Sequence, residues 1–437
     1  MQRTSKTFHI EDIKNLKKNL LYWSNNSDVA LWLDSNDYDQ NYSSFDAVLA
    51  VDEFTSIQTD YDNAFEKLKE YQSITQDYIF GYLSYDIKND TEKLSSTNFD
   101  GLQFDDLFFF QPQKIIFLKG NTLEFQYLKM IDDEIEKDFE TILKETATLY
   151  PETSDINIKL RIHKDEYYQK VSKVLEHIHR GDIYEANFCQ EFYAENCELD
   201  PVKAYLDLNE ISEPPFATFL KKDDHFLASA SPERYLKKEG NKIISQPIKG
   251  TAKRLVSIID DQKIAADLHR DEKERAENIM IVDLVRNDLS KTAKKGSVTV
   301  EELCKVYSFK QVHQLISTVT SEIRDGVHPV DVIKDSFPMG SMTGAPKISA
   351  MKIIETLEET KRGLYSGAIG YFTPSGDFDF NVVIRSILYN AKNKYVSFSV
   401  GGAITAKSIP EKEYEECLLK AKAMKMVLTK KVSQPTY

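Results

Sequence analysis

The sequence predicts an α+β fold in which the strands pair mainly antiparallel. Several segments, such as "YVSFSVGGAIT" and "FATFLKK", alternate apolar and polar residues with a period of two, which favours antiparallel strands. The predicted strands come in clusters, and segments with helical spacing of apolar residues are interspersed among them. Neither a G-x-G-x-x-G fingerprint nor a Walker loop is present, so the sequence does not indicate a nucleotide-binding site.

The first third of the chain predicts short apolar strands separated by charged helices. "DVALWLD", "FDAVLAVDEF" and "YIFGYLSYDI" are typical of strands, and a hairpin or meander is predicted around Gly120 and Asn121. An acidic helix and a polar linker follow. We therefore expect an N-terminal region of residues 1–155 and a second region of residues 156–437.

The second region begins with a predicted helix in "KDEYYQKVSKVLEHIHRGDIYEANF". Tyr168, Val171, Leu175 and Ile178 recur at helical spacing, and Gly181 is expected to end the helix. Further strands are predicted in "HFLASASPERYL", "YSGAIGYF" and "FNVVIRSILYN".

Composition and charge exclude several classes of protein. The 437 residues are 41% hydrophobic and 29% charged, which is a globular composition long enough for two or three domains or one large intertwined one. The 56 basic and 70 acidic residues leave a net charge of −14, so nucleic acids and anionic membranes are not expected as partners. No apolar run is long enough to span a membrane, and the four cysteines lack metal-binding spacing. We expect a soluble, cytoplasmic protein.

Two predicted helices each carry a pair of carboxylates three residues apart. In the first, Glu277 lies on the apolar face and Glu274 lies beside it. In the second, Glu413 and Glu416 lie on one flank of the apolar stripe. Paired carboxylates suit a Mg²⁺ site when the ligand is also an oxyanion, whereas most helical glutamates are simply solvated. The residues alone leave both interpretations open.

Two glycine-containing segments follow predicted strands. In "QPIKGTAKR", Lys249 precedes Gly250 and Thr251, so its amine is either solvated or directed into a site. Gly401 and Gly402 follow another strand, where glycines either let a backbone approach a ligand or form a bulge.

Isolated polar residues mark three further positions. Arg385 lies in an apolar segment predicted as a strand, where an arginine usually pairs with a carboxylate of the protein or of a ligand. His313 also lies on a predicted strand, and such a histidine is more often structural. The loop "GSMTGAPK" contains Ser341, and Thr343 is expected to cap the helix that follows. This loop either caps a structural helix or offers backbone N–H groups to an anion.

Eight segments occur in an order that resembles the chorismate-utilising enzymes. They are "GDIYEANF", "SPERYL", "PIKGT", "VDLVRNDL", "GSMTGAPK", "GAIGYF", "IRSI" and "GGAI…PEKEYEE". This family includes anthranilate synthase component I, aminodeoxychorismate synthase component I, isochorismate synthase and salicylate synthase. The resemblance is dense over residues 160–430, and the N-terminal region resembles the less specific amino-terminal region of the same family.

The resemblance implies two large, mainly antiparallel sheets packed as a sandwich with helices outside, in which the two sequence regions are intertwined. It implies a chorismate-type dicarboxylate held with Mg²⁺, and Glu277 and Glu416 as the metal ligands. It also implies Glu233 as general acid or base, with His313 near the ring hydroxyl. The other substrate-binding residues that it implies are Ser341, Tyr371, Arg385, Gly250, Thr251, Gly401, Gly402, Glu274 and Glu413.

Lys249 distinguishes the reactions within this family. Anthranilate synthases resemble "PIAGT", with alanine at this position, whereas "PIKGT" resembles aminodeoxychorismate synthase component I. The resemblance implies that the lysine attacks C2 of chorismate and expels the C4 hydroxyl, after which ammonia enters at C4. Because a lysine attacks only when neutral, we expect the pKa of Lys249 to be lowered by burial or by a nearby cation.

The resemblance also implies a partner and leaves alternatives. The cysteine contexts do not resemble a glutaminase nucleophile, so ammonia is expected from a separate glutamine amidotransferase subunit, and the product is a precursor of p-aminobenzoate and folate. One departure is Glu185, because the aminating relatives typically have glutamine at this position. The alternatives are anthranilate synthase component I and a non-catalytic chorismate-binding protein.

Overall fold

In the described part of a computed structural model of the protein, the strands join into one hydrogen-bonded network of 20 strands, and all of their ladders are antiparallel. The structure describes residues 2–38, 42–145, 156–310 and 312–429. The predicted α+β class, with mainly antiparallel strands and helices around them, is confirmed. The expected sheets are parts of one continuous network.

Strands and helices are interspersed along the whole chain. The strands are β1 (Arg3–His9), β2 (Val29–Asp34), β3 (Ala47–Thr59), β4 (Ile79–Leu83), β5 (Leu107–Lys119), β6 (Thr122–Leu128), β7 (Lys159–Leu160), β8 (Glu185–Ala194), β9 (Phe216–Lys222), β10 (His225–Ser231), β11 (Arg234–Glu239), β12 (Lys242–Gln246), β13 (Ile248–Lys253), β14 (Thr299–Ser308), β15 (Val312–Glu322), β16 (Gly344–Ala345), β17 (Ala368–Phe372), β18 (Phe378–Val382), β19 (Ser386–Asn390) and β20 (Tyr395–Thr405). The helices are α1 (Ile13–Ser24), α2 (Ala64–Thr75), α3 (Lys88–Thr91), α4 (Ile135–Lys144), α5 (Lys164–Arg180), α6 (Pro201–Ser212), α7 (Ile258–Arg270), α8 (Glu272–Ser290), α9 (Pro329–Ser336), α10 (Lys347–Leu357) and α11 (Pro410–Thr429).

Two ladders join the early part of the chain to the late part. β2 pairs with β9, and β4 pairs with β17. The expected boundary between residues 155 and 156 falls at the end of the stretch 146–155, which lies outside the described residues.

Buried apolar clusters hold the two carboxylate-bearing helices. α8 contributes Ile281 and Val285 to one cluster, and α11 contributes Cys417 and Met424 to another. Burying such side chains contributes roughly 1.5–3 kcal/mol each, so both helices are fixed by their apolar faces. Their glutamates are left at the margins of these clusters.

Two local predictions are confirmed. α5 ends at Arg180, and Gly181 follows in the left-handed region with φ 84°. β5 and β6 form the predicted hairpin around Gly120, which has φ 53°.

Two other local predictions are wrong. α10 begins after Pro346 rather than after Thr343, because the Thr343 hydroxyl donates to the preceding turn, to the Met339 oxygen at 3.3 Å. Arg385 does not lie within a strand. It lies in a bend between β18 and β19 with φ 53°, a conformation that interrupts regular strand pairing.

Two structural findings bear on the expectations about membrane spans and cysteines. None of the helices in the described ranges is long and apolar enough to cross a membrane. Cys189, Cys197, Cys304 and Cys417 are all free thiols.

Candidate active site

Lys249 lies at an irregularity in β13. The pairing of β13 with β15 shifts register between Ile248 and Thr251, and such a bulge redirects the side chains within it. The Asn278 side chain of α8 donates to the Lys249 backbone oxygen at 3.3 Å and to the Leu315 oxygen at 3.1 Å. These contacts tie the Lys249 backbone to α8, next to Glu277.

The amine of Lys249 lies among acids. The side chain is only 14% exposed, and its Nζ donates to Oε1 of Glu185 at 3.1 Å. Burial on its own lowers the pKa of Lys249, but Glu185, Glu277 and Glu233 raise it, and the net shift of the pKa is upward. The expectation of a lowered pKa is therefore wrong, because the ion-pair partner of Lys249 is an acid rather than a cation.

Glu233 lies between β10 and β11 and is buried. The Ser341 hydroxyl donates to its Oε1 at 2.7 Å, so Ser341 contacts this acid within the site. Burial raises the pKa of Glu233 to about 7, although Ser341 and Lys249 pull it down. A carboxyl group with this pKa is partly protonated at neutral pH and can donate a proton.

The glutamates of α8 and α11 converge around one cation. The Lys273 amine lies 3.7 Å from Oε1 of Glu277. Burial raises the pKa of Glu277 to about 7, against the pull of Lys249 and Lys273. The carboxylates that act on Lys273 are those of Glu277, Glu274, Glu413 and Glu416.

The other three glutamates of this cluster differ in the direction in which their pKa is shifted. Burial raises the pKa of Glu274 and of Glu413. Burial also acts to raise the pKa of Glu416, but Lys420, with Nζ 2.7 Å from Oε1, outweighs it and the pKa is lowered. Glu416 therefore remains ionised more readily than Glu277.

The donor chemistry of this cluster fits Mg²⁺. Within the described residues, no set of three or more His, Cys, Asp or Glu side chains is arranged as a ready-made metal site. Mg²⁺, however, is usually bound through one or two carboxylates, with substrate and water oxygens completing the shell. Glu277 and Glu416 supply such carboxylates, and the convergence of four acids on Lys273 marks a place that favours positive charge.

Gly250 brings the β13 backbone close to the same cluster. Its φ is 91°, and an added Cβ would lie 3.0 Å from Cδ1 of Leu315 and 3.2 Å from Oε2 of Glu274. Only glycine adopts this backbone conformation without strain. Thr251 is exposed, and its hydroxyl accepts a long hydrogen bond of 3.5 Å from Gln314.

Gly401 and Gly402 lie on β20, opposite β8. An added Cβ at Gly401 would lie 2.4 Å from Sγ of Cys189, and one at Gly402 would lie 3.4 Å from Oε2 of Glu413. Gly402 is therefore next to the carboxylate cluster. The Gly401 oxygen accepts a hydrogen bond from Lys420 at 2.9 Å.

Both ring nitrogens of His313 are engaged by the protein. Nε2 lies 3.0 Å from Oδ1 of Asp261, and Nδ1 lies 2.8 Å from the Ser308 hydroxyl. His313 is buried on β15, in the part of that strand that pairs with β13. To donate a proton to a substrate, His313 would first have to release one of these contacts, so Glu233 is the better placed acid.

Arg385 faces the site from the bend between β18 and β19. Burial lowers its pKa, and its ionisable neighbours are Tyr365 and Glu416. Because Glu416 is already paired with Lys420, the Arg385 guanidinium is available for an anion.

Tyr371 lies on β17 within an aromatic cluster, and it is not among the ionisable neighbours of Arg385. Its ring contacts those of Phe45 and Phe80, with centroids 5.5 Å away in each case. It lines a separate cavity with Arg234 and Asp379. The tyrosine beside Arg385 is Tyr365, six residues earlier.

The sequence reasoning missed four residues of this site: Tyr365, Lys273, Lys420 and Asn278. A signal existed for the lysines, because each is four residues from a candidate metal carboxylate, at the spacing of a helical ion pair. The contacts of Tyr365 and Asn278 depend on long-range packing and leave no local signal.

The family model for chorismate binding enzymes matches residues 28–426. The chain belongs to this family. Among solved structures, the chorismate-binding enzyme resembles anthranilate synthase component I from Streptococcus pneumoniae, with a TM-score of 0.76, 26% identity, and 89% of this chain and 94% of that one covered. It shares its fold with the menaquinone-specific isochorismate synthase from Escherichia coli, with a TM-score of 0.75, 15% identity, and 98% and 95% covered.

Relatives of this chorismate-binding enzyme carry two kinds of name. It is 41% identical over 253 residues to aminodeoxychorismate synthase component 1 from Escherichia coli, covering 58% of this chain and 55% of the relative. It is 41% identical over 277 residues to the probable chloroplastic aminodeoxychorismate synthase of Oryza sativa, covering 63% and 31%. It is 33% identical over 368 residues to anthranilate synthase component 1 from Aquifex aeolicus, covering 79% and 73%. The chain thus spans about half the length of the Escherichia coli relative and about a third of the Oryza sativa relative.

Proposed function

We propose that this chorismate-binding enzyme is aminodeoxychorismate synthase component I, which converts chorismate and ammonia to 4-amino-4-deoxychorismate. The observation that carries the proposal is the Lys249 amine, which is largely buried, 3.1 Å from Glu185 and close to Glu233 and Glu277. A solvated turn lysine would not lie among three acids. Two relatives with 41% identity carry the name of this synthase, which supports the same assignment.

The reaction divides into two displacements that share the Lys249 amine. In the first, the amine forms a bond to C2 of chorismate, the ring double bonds shift, and the C4–O bond breaks. In the second, ammonia forms a bond to C4, the double bonds shift back, and the C2–N bond to Lys249 breaks. The sum replaces the C4 hydroxyl by an amine, releases water and leaves the enolpyruvyl group in place.

Glu233 supplies the proton that converts the departing hydroxyl to water. Hydroxide is a poor leaving group, so the C4–O bond breaks readily only when an acid protonates it. The pKa of Glu233, about 7 because of burial, keeps a protonated fraction at neutral pH. Ser341 orients this carboxyl group through its hydrogen bond.

The carboxylates of the substrate are bound by Arg385, beside Tyr365, and by the backbone near Gly402. An arginine binds a carboxylate through two parallel hydrogen bonds and thereby fixes its orientation. Glu277 and Glu416 would hold Mg²⁺, with Glu274 and Glu413 next to them. The charge of a bound ion would offset that of a substrate carboxylate and so help to restrain the ring.

Ammonia is supplied by a separate glutamine amidotransferase subunit. The "component 1" in the names of relatives from Escherichia coli and Bacillus subtilis supports a second component. The product then enters p-aminobenzoate and folate synthesis after elimination by another enzyme. Four free thiols suit a reducing, cytoplasmic setting.

We further propose that residues 1–155 and 156–437 form one intertwined unit. The ladders of β2 with β9 and of β4 with β17 support this arrangement, because neither part completes its strand pairing alone.

A second candidate is anthranilate synthase component I, which is the name of the Aquifex aeolicus relative. Mass analysis of products from chorismate, Mg²⁺ and ammonium, with and without an added lyase, separates the candidates. The proposal predicts a product that becomes p-aminobenzoate only when the lyase is present. Fluorescent anthranilate would support the second candidate, and binding without turnover would indicate a non-catalytic protein.

A further inference from the structure

Glu185 is a buried acid whose hydrogen-bonding capacity is only half used. It is 1% exposed; its Oε1 accepts from Lys249 at 3.1 Å, and its Oε2 is buried without a hydrogen-bond partner among the described residues. Its backbone is fixed at the start of β8 by pairing with Ala345 and Thr405. The carboxylate is therefore held against the Lys249 amine.

The surroundings make proton transfer within this pair less costly than in water. A buried ion pair loses the solvation of both charges, and the carboxylate oxygen that has no hydrogen-bond partner adds to this cost. Moving the proton from Lys249 to Glu185 converts two buried charges into two neutral groups. The other charged groups that face Lys249 lie on α8, α11 and the turn after β10: Glu274, Glu277, Glu416 and Glu233.

We propose that Glu185 accepts the proton that Lys249 loses when it attacks the substrate and returns it when the C2–N bond breaks. This inference rests on the proposed function, because it assigns a further catalytic role at the same site. Lys249 gives one proton to Glu185, and its lone pair forms the bond to C2 while Glu233 protonates the leaving hydroxyl. When ammonia displaces Lys249, the free amine recovers its proton from Glu185, and the ammonium group of the product restores the proton of Glu233.

The proton that Lys249 gives up thus stays on Glu185 throughout the first step. Attack does not require release of a proton to solvent, even though the pKa of Lys249 is raised in the resting enzyme. The departure from glutamine at this position therefore has a chemical consequence. A glutamine would still accept a hydrogen bond from Lys249 but could not take its proton.

The test uses Glu185→Gln, which preserves size and hydrogen bonding. Wild-type and variant proteins are incubated with chorismate and Mg²⁺ without ammonia, and peptide mass spectrometry follows the gain on Lys249 of one substrate minus one water. We expect the variant to form this adduct at least ~10-fold more slowly at pH 6.5. The ratio of variant rate to wild-type rate should then rise by about tenfold per pH unit, because the variant must release its proton to solvent. The rate also depends on pH through the protonation of Glu233. Because this dependence is common to both proteins, it cancels in the ratio of their rates.

A second readout does not depend on turnover. Acetylation of Lys249 by acetic anhydride in the substrate-free protein should also be slower in Glu185→Gln at pH 6.5, since the carboxylate that accepts the proton of the attacking amine is gone. Glu195→Gln is the matched control. Glu195 is an exposed glutamate just beyond the end of β8, the strand that begins with Glu185, and its carboxylate forms an ion pair with Lys159 at 2.9 Å. It should leave both readouts at Lys249 unchanged.

The outcomes separate the two proposals. A wild-type adduct with a rate ratio near one, or a ratio that does not change with pH, overturns the role of Glu185 alone. Absence of the adduct in the wild-type protein, with amination intact, overturns the nucleophile and with it the role of Glu185. A pH-dependent ratio with slower acetylation of the variant at pH 6.5 supports the inference, and faster acetylation of the variant would overturn it.

Discussion

Replacing Glu233 by glutamine should make the protein more stable while it removes amination. Glu233 is buried, and its carboxyl group accepts a hydrogen bond from Ser341 at 2.7 Å. Glutamine has the same shape and can still accept this bond. It cannot ionise, however, and it cannot protonate a leaving hydroxyl. The substitution therefore separates the energetic cost of the buried acid from its chemical use.

The size of the stability effect follows from the pKa of Glu233. This pKa is about 7 in the folded protein, against an ordinary value of 4.5. Because the pKa of the folded state is the higher one, the carboxyl group favours folding below pH 4.5, and this contribution is lost as the pH rises through about 7. At ~1.4 kcal/mol per pKa unit, the ionised group costs the folded protein about 3 kcal/mol at pH 8.

Urea unfolding of both proteins without substrate or metal, from pH 5.5 to 8, measures this difference. The free energy of unfolding of Glu233→Gln should exceed that of the wild type by about 1 kcal/mol at pH 5.5 and about 3 kcal/mol at pH 8. An exposed glutamate on α5 provides the control, because Glu176→Gln should change stability by less than about 0.5 kcal/mol at every pH. A difference for Glu233→Gln that stayed constant across the pH range would refute a buried acid with a raised pKa.

Three further substitutions test other parts of the site. Arg385→Lys should raise the KM for chorismate by about tenfold or more with a smaller effect on kcat, because lysine cannot bind a carboxylate bidentately; an unchanged KM would remove Arg385 from the substrate. Gly250→Ala should lower the free energy of unfolding by about 1–3 kcal/mol in urea titrations, because of the φ of 91° and the contact with Leu315. Unaltered stability would mean that β13 relaxes freely. Glu277→Gln should shift the Mg²⁺ dependence of turnover to at least ~10-fold higher concentration, and an unshifted titration would exclude Glu277 as a metal ligand.

Local features of the fold were predictable from the sequence because they depend on neighbouring residues. The spacing in α5 and the glycine that follows it identified that helix and its end. The pairing of β2 with β9 joins strands that are far apart along the chain, and no local pattern indicates it. Thr343 was assigned to the wrong role because its hydroxyl bonds the preceding turn.

The candidate site likewise contains some residues that local sequence indicates and others that depend on long-range packing. Helical spacing offered Glu277 and Glu416 as candidates, and the family resemblance implied them as metal ligands. The contact of Lys249 with Glu185 crosses 64 positions, however, and it reverses the expected direction of the lysine pKa. Tyr365 and Tyr371 both lie within the predicted strand segment "YSGAIGYF". Only packing decides between them, because Tyr371 is enclosed by aromatic rings of the N-terminal region while Tyr365 lies beside Arg385.

The account depends above all on a covalent role for Lys249, and Lys249→Ala tests this most directly. Wild-type and variant proteins are supplied with chorismate, Mg²⁺ and ammonium, and the products are identified by mass. We expect the variant to lose most of its 4-amino-4-deoxychorismate formation, with chorismate left unconverted or diverted to anthranilate. Amination by the variant at the full wild-type rate would contradict the central claim.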